Sequence, residues 1–218
     1  MSQLIIPIPQ PWHIRTPAVV RYLEAQYVDE FFTDGKLRLT SFATFRTYED
    51  EQAGDPHEGR TYQEVTGPNH HGVVVAINGA ANYVLCSSTV ESDAMADLWR
   101  RDAGIRILDT FGFARAVAQR IPGFLFGMEG PCTYVHNLTV RVRDDRTFVP
   151  PAEKDIEAWA ARMDADVAER GKESFFRKRL LYSPQSEYRF VWIGTGAEQP
   201  YLKVECPEAR QYCQRWSR

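Results

Sequence analysis

The order of strand-like and helix-like segments constrains this chain most, because it follows no regular β–α–β alternation. "AVVRYLEAQYVDEFF", from Ala18 to Phe32, starts β-like and then turns helical, with Val20, Leu23, Tyr27, Val28, Phe31 and Phe32 near helical spacing. "TDG" stops the helix, and Gly35 suits its C-terminus. "KLRLTSF" alternates Leu37 and Leu39 against Lys36, Arg38 and Thr40, the pattern of a half-buried strand. "GVVVAING" and "NYVLCSST" predict two strands of a hairpin. "ESDAMADLWRRDA" predicts a helix capped by Ser92 or Asp93, "GIRILDT" a strand, and "FARAVAQRI" a helix ended by Pro122-Gly123. "CTYVHNLTVRVR" alternates strongly and predicts one strand; the stretch from Pro150 to Leu181 predicts a long helix broken at Gly171. An aromatic and β-branched strand over Tyr188–Ile193 and a last strand at "YLKVEC" follow. Strands and helices so intermixed indicate an α+β fold.

Residues 1–17, with four prolines, read as an extended arm, and 18–218 as a single domain, since no linker, repeat or low-complexity tract interrupts them. A net charge of −3 argues against a nucleic-acid footprint over the whole surface but leaves local basic patches open. Cys86, Cys132, Cys206 and Cys213 lack zinc spacing and form no compact disulfide framework. No signal peptide or membrane-length apolar run is visible, so the expected setting is the cytoplasm, with no membrane partner.

Several polar groups need weighing. The acidic stretch with Glu49, Asp50, Glu51, Asp55, His57 and Glu58 lacks calcium-loop spacing and reads as a solvated loop; His70-His71 reads as surface, so no metal site is expected. Cys86 reads as inert core. "KESFFRKR", Lys172–Arg179, reads as an amphipathic helix with Phe175 and Phe176 inward. Three segments resist a purely structural reading, because Arg21, Ser87-Ser88 and the pair Gln185/Glu187 each stand beside a strand that looks buried. Gln185 and Glu187 are two apart, hence on one face of a strand. A buried arginine must find a partner or a ligand.

Arginine on a first strand, serine on a middle strand and Gln/Glu-x-Glu ahead of a late strand resemble the ADP-ribosyltransferase superfamily. More closely, the chain is similar to an uncharacterised bacterial domain family with three short signatures. Here they fall at Arg21-Tyr22, Gly35 to Ser41 and Asp55-Pro56/Glu58; at Leu85 to Ser88 with Trp99; and at Gln185 to Arg189. The similarity spans about residues 18–193 and extends to toxin and phage-defence proteins.

The resemblance implies a split two-sheet fold with helices flanking an NAD cleft, and NAD as substrate without a metal. Glu187 would hydrogen-bond the ribose and stabilise the oxocarbenium-like state. Gln185 would meet the acceptor. Arg21 would hold the diphosphate. Ser88 or Ser87 would brace Glu187 or touch the ribose, and Tyr22 or Phe42 are candidates to stack on nicotinamide. "CSST" departs from the family's Ser-Thr-Ser order, and His13 and Arg15 in the arm are rivals for the first-strand role. On this reading Glu187 faces a pocket. The acceptor would be RNA, DNA or protein, with Arg177-Lys178-Arg179 favouring nucleic acid, and a host antitoxin is an expected partner. Plain NAD hydrolysis, a non-catalytic module in which Arg21 and Glu187 form a buried ion pair, and a metal-dependent nuclease built on the acidic loop are the alternatives.

Overall fold

Period-two alternation and helical capping place most of the elements where the side chains can be buried. The computed structural model describes residues 18–48, 54–77, 82–145, 147, 149, 152–158, 172–195 and 199–218. The proline-rich arm with His13 and Arg15, and the acidic residues Glu49, Asp50 and Glu51, therefore lie outside the described residues. The chain is α+β, with more strand than helix and several sheets.

Strand β1 (Val19–Leu23) leads into α1 (Ala25–Asp34), whose Val28 and Phe31 are buried. Gly35 ends α1 in the left-handed region at φ 75° and donates its N–H to Phe31 O. A Cβ there would stand 2.3 Å from the Pro207 nitrogen, so glycine is required by both conformation and space. β2 (Lys36–Ser41) follows, with Leu37 and Leu39 buried against exposed Lys36 and Arg38, and then the short helix α2 (Phe42–Phe45). β3 (Arg60–Thr66) and β4 (His71–Ile77) precede β5 (Asn82–Ser88). Ser92 caps α3 (Asp93–Trp99) by accepting from Met95 N, as its sequence suggests. β6 (Ala103–Ile107) and the Asp109-capped α4 (Thr110–Ala118) come next. β7 (Phe124–Pro131), β8 (Thr133–Val135), β9 (Thr139–Arg143), β10 (Arg177–Arg179), β11 (Glu187–Gly194), β12 (Tyr201–Glu205) and β13 (Cys213–Ser217) complete the strands.

Eight strands make the main sheet, in the path β12-β2-β5-β1-β6-β13, with β11 on β5 and β7 on β11. β5 is the branch point. Its Val84 pairs with Thr40 of β2 and also with Val191 of β11; its Ser88 pairs with Val20 of β1 and also with Glu187 of β11. A strand has only two edges, so β1 and β2 share one edge of β5 and part from each other along it. On one face, α1 and α4 bury Phe31, Phe113 and Val117 against Val19, Leu39, Ile105, Ile107, Phe190 and Trp192. On the other, Phe42 and Phe175 pack on Val84 and Val191.

Four expectations change. β4 pairs with β3 rather than β5, because Gly67 N–H donates to His70 O and closes a tight turn at 67–70. The stretch "CTYVHNLTVRVR" is two strands in different sheets: Asn137 Oδ1 accepts from Thr139 N and turns the chain, sending β8 to pair with β10 and β9 with β3. The helix expected through Leu181 gives way, over its described C-terminal part, to a 3-10 turn (Lys172–Phe176), β10 and a second 3-10 turn (Leu180–Gln185), since parallel pairing with β8 outweighs helical spacing. Residues 159–171 lie outside the described residues. Finally, "YLKVEC" is followed by β13, which pairs with β6.

Candidate functional site

Register fixes which side chains share a face. Val84, Cys86 and Ser88 of β5 point to the side of Glu187, Arg189 and Val191 of β11, and by Thr40↔Val84 to the side of Arg38 and Thr40 of β2. Val20 meets Ser88, which meets Glu187, so β1, β5 and β11 present one continuous row.

Glu187 stands at the start of β11, only 3% exposed, with both carboxylate oxygens engaged. Lys178 Nζ donates to Oε2 at 2.6 Å and Arg189 Nε donates to Oε1 at 2.5 Å. Arg189 in turn forks onto Glu58, Nη1 to Oε1 at 2.7 Å and Nη2 to Oε2 at 2.9 Å, and also donates to Phe175 O. Lys178 divides its protons between Glu187 and Gln185 Oε1, 2.8 Å away, and its ammonium lies 4.7 Å from the Tyr182 ring centroid. A second layer pairs Arg179 with Asp55 and with the Tyr182 hydroxyl, which donates to Gly54 O. Burial would raise the Glu187 pKa, but the Arg189 and Lys178 charges overcome it and hold the carboxyl well below the usual range. Burial would likewise lower Lys178, yet Glu187 outweighs it and the ammonium is held more tightly than normal. Nearby thiols respond in the opposite sense: burial first, then Glu187, raises Cys86, and burial pushes Cys132 up to about 12. Neither is a reactive thiolate.

Several readings of these residues are corrected. Glu187 lies inside the strand, and Gln185 belongs to the preceding 3-10 turn, with Ser186 between them in the left-handed region at φ 44°. The two residues meet through Lys178 rather than through a shared strand face. The carboxylate points into a salt-bridge network and not into an open pocket. Its partners are Lys178 and Arg189, so the Arg21–Glu187 ion pair does not form. Asp55 and Glu58 are 3% and 5% exposed, hence no solvated loop. Lys178, read as part of a basic helix, is buried, because β10 turns it inward.

Arg21 occupies the parting between β1 and β2. Its Nη1 donates to Cys86 O at 2.8 Å, so a guanidinium stands where a strand amide would otherwise bond β5. Burial lowers its pKa, and the Arg38 charge pushes the same way. Among the described residues no carboxylate pairs with it. Arg21 and Glu187 thus flank one strand: Arg21 bonds the Cys86 carbonyl, and Glu187 pairs with Ser88 at the end of the same strand.

Ser88 is buried; its hydroxyl accepts from Val90 N at 3.1 Å and turns the chain out of β5. Ser87 points to the opposite face, and its Oγ has no hydrogen-bond partner among the described residues. Tyr22 packs edge-on against Trp216 at 4.8 Å and its hydroxyl accepts from Ser92 N, which ties β1 to the α3 cap. Phe42 is fully buried against Phe175 at 5.0 Å. Phe42 is therefore packed inside, whereas Tyr22 is half-buried. No local pattern shows that Glu58, Lys178 and Arg189 join Glu187: Lys178 reads as part of a basic cluster and Glu58 as part of an acidic loop, and the available signal is that short motifs far apart carry opposite charges that could meet.

Among the described residues, no group of three or more His, Cys, Asp or Glu could hold a metal, and no helix is long and apolar enough to cross a membrane. No protein-family model, curated protein or solved structure matches the chain.

Proposed function

We propose that the chain is an ADP-ribosyltransferase-like enzyme that binds NAD beside the parting of β1 and β2 and breaks the nicotinamide–ribose bond. One observation carries this reading: Arg21, Ser88 and Glu187, far apart in sequence, come from three adjacent strands, with Ser88 opposite Glu187 in register and Arg21 reaching the Cys86 carbonyl of the strand between. The shared edge of β5 supports a split-sheet, ADP-ribosyltransferase-like arrangement. Arg21, without a carboxylate among the described residues, suits a diphosphate, and Glu187 is held ionised, as stabilisation of a sugar cation requires. To meet a ribose hydroxyl, Glu187 must exchange one partner. Lys178 can release it while keeping Gln185. Nicotinamide then leaves with the bonding electrons, and the acceptor or water adds at the anomeric carbon and gives up a proton. Such an activity in a toxin calls for an antitoxin partner.

The test is nicotinamide release from labelled NAD by the wild type and by Glu187→Gln, with cell extract as acceptor source. Release by the wild type that falls at least a hundredfold in the variant supports the proposal; no release and no NAD-dependent rise in thermal stability overturn it.

A second reading, a non-catalytic module of the same fold, is favoured by a specific observation: both Glu187 oxygens are occupied and the residue is 3% exposed. Under it, neither protein releases nicotinamide and NAD changes the stability of neither.

A further inference from the structure

The face that carries Glu187 and Ser88 continues across β2 to β12, where its character changes. Arg38 and Lys203 are directly opposite each other in register, both exposed and both positive. Like charges in that position repel, and among the described residues neither has a carboxylate partner. Lys36 and Glu205 form the next pair on the same face, and Lys36 is already tied to Asp34 at 2.7 Å. Two exposed tyrosines border the cations. The Arg38 guanidinium donates to the Tyr48 hydroxyl at 3.1 Å and lies 4.5 Å from the Tyr201 ring centroid; Lys203 Nζ lies 6.0 Å from the same ring. Arg21 stands behind this strip, close enough to Arg38 for their charges to interact.

We propose that the strip formed by Arg38, Lys203, Tyr201 and Tyr48 binds single-stranded nucleic acid. The strip is open, and an exposed cation gains little from one small anion. A polyphosphate chain engages several cations together and releases counterions, which makes the same open strip effective. Tyrosine rings and a fixed guanidinium offer flat surfaces to unpaired bases, which a duplex keeps stacked inside. The Arg177-Lys178-Arg179 segment cannot serve, since Lys178 and Arg179 are committed to Glu187 and Asp55. That the bound strand is the acceptor of ADP-ribose rests on the NAD reading above; the binding itself does not.

The experiment is fluorescence anisotropy of a labelled single strand of about twelve nucleotides, as DNA and as RNA, titrated with the full chain at low salt without NAD. Binding by either strand is expected. The double variant Arg38→Glu with Lys203→Glu weakens it at least about tenfold, and the slope of log K against log salt becomes shallower by about 1.4, two phosphate contacts at about 0.7 each. Tyr201→Ala keeps both charges and weakens binding of the normal strand but not of an abasic strand of the same length. Thermal unfolding confirms that these surface variants are folded. No wild-type binding at low salt, or equal binding by the double variant, overturns the proposal, and duplex binding as tight as single-strand binding overturns its single-strand part. Nicotinamide release measured without oligonucleotide reads the NAD proposal separately, so either can fail alone.

Discussion

Two groups of charges in the main sheet differ in how they are satisfied. Around Glu187 every described charge has an opposite one within bonding distance: Glu58 with Arg189, Arg189 with Glu187, Glu187 with Lys178, Asp55 with Arg179. Around Arg21, Arg38 and Lys203 there are cations and no described carboxylate partner. The first group is closed and buried, so its charges organise the protein itself: Glu58, 131 residues away from Arg189, and the nearby Lys178 are both tied to β11. The second is, among the described residues, unbalanced, and runs from the interior to solvent. A buried charge with its partner is architecture; a set of cations without one is an invitation to an anion.

The contrast breaks first at Arg189. Arg189→Met leaves Glu58 and Glu187 buried with only Lys178 between them, and urea unfolding should show a loss of about 3–5 kcal/mol. A loss under 1 kcal/mol would mean that the network holds little. Glu187→Gln should cost less, about 2 kcal/mol, because Glu58 still holds Arg189 and Gln185 still accepts from Lys178. The same variant sharpens the comparison through pH. The folded-state pKa of Glu187 is depressed, so its contribution is fully present above roughly pH 4.3 and drains as pH falls toward the folded value. Wild-type stability should therefore fall on acidification more steeply than that of Glu187→Gln. Lys178, held raised, acts at the other end: its contribution is present below about pH 10.4 and is lost as pH climbs through the folded value. On the unbalanced side the effects shrink. Arg21→Met loses one hydrogen bond to Cys86 O and should cost about 1 kcal/mol in the same unfolding experiment. Lys203→Glu turns a repelling pair into an attracting one and should raise stability by about 0.2–1 kcal/mol, visible as a small increase in the urea midpoint.

Much of this arrangement was legible in the residues. The strand at Tyr188–Ile193, the Ser92 cap, the Gly35 stop and the Leu37/Leu39 alternation stand where local chemistry puts them. So does the suspicion that Glu187, which is buried, and Arg21, which is half-buried, are polar groups needing an explanation. The partners of Glu187 were not legible. Lys178 sits in a run of basic residues whose spacing fits a helix, and only pairing of β10 with β8 turns it inward. Asp55 and Glu58 sit in an acidic stretch that looks solvated until Arg179 and Arg189 arrive from more than a hundred residues away.

Sequence alone determined the α+β character, the sites of most helices and strands, and which polar side chains stood in apolar company, because capping, alternation and burial act within a few residues. Tertiary structure alone decided which charges neutralise each other, that Arg21 fills the parting of β1 and β2, and that Arg38 and Lys203 face one another with no carboxylate partner among the described residues. Coulomb pairing depends on distance in space, and no local pattern in the chain encodes that distance.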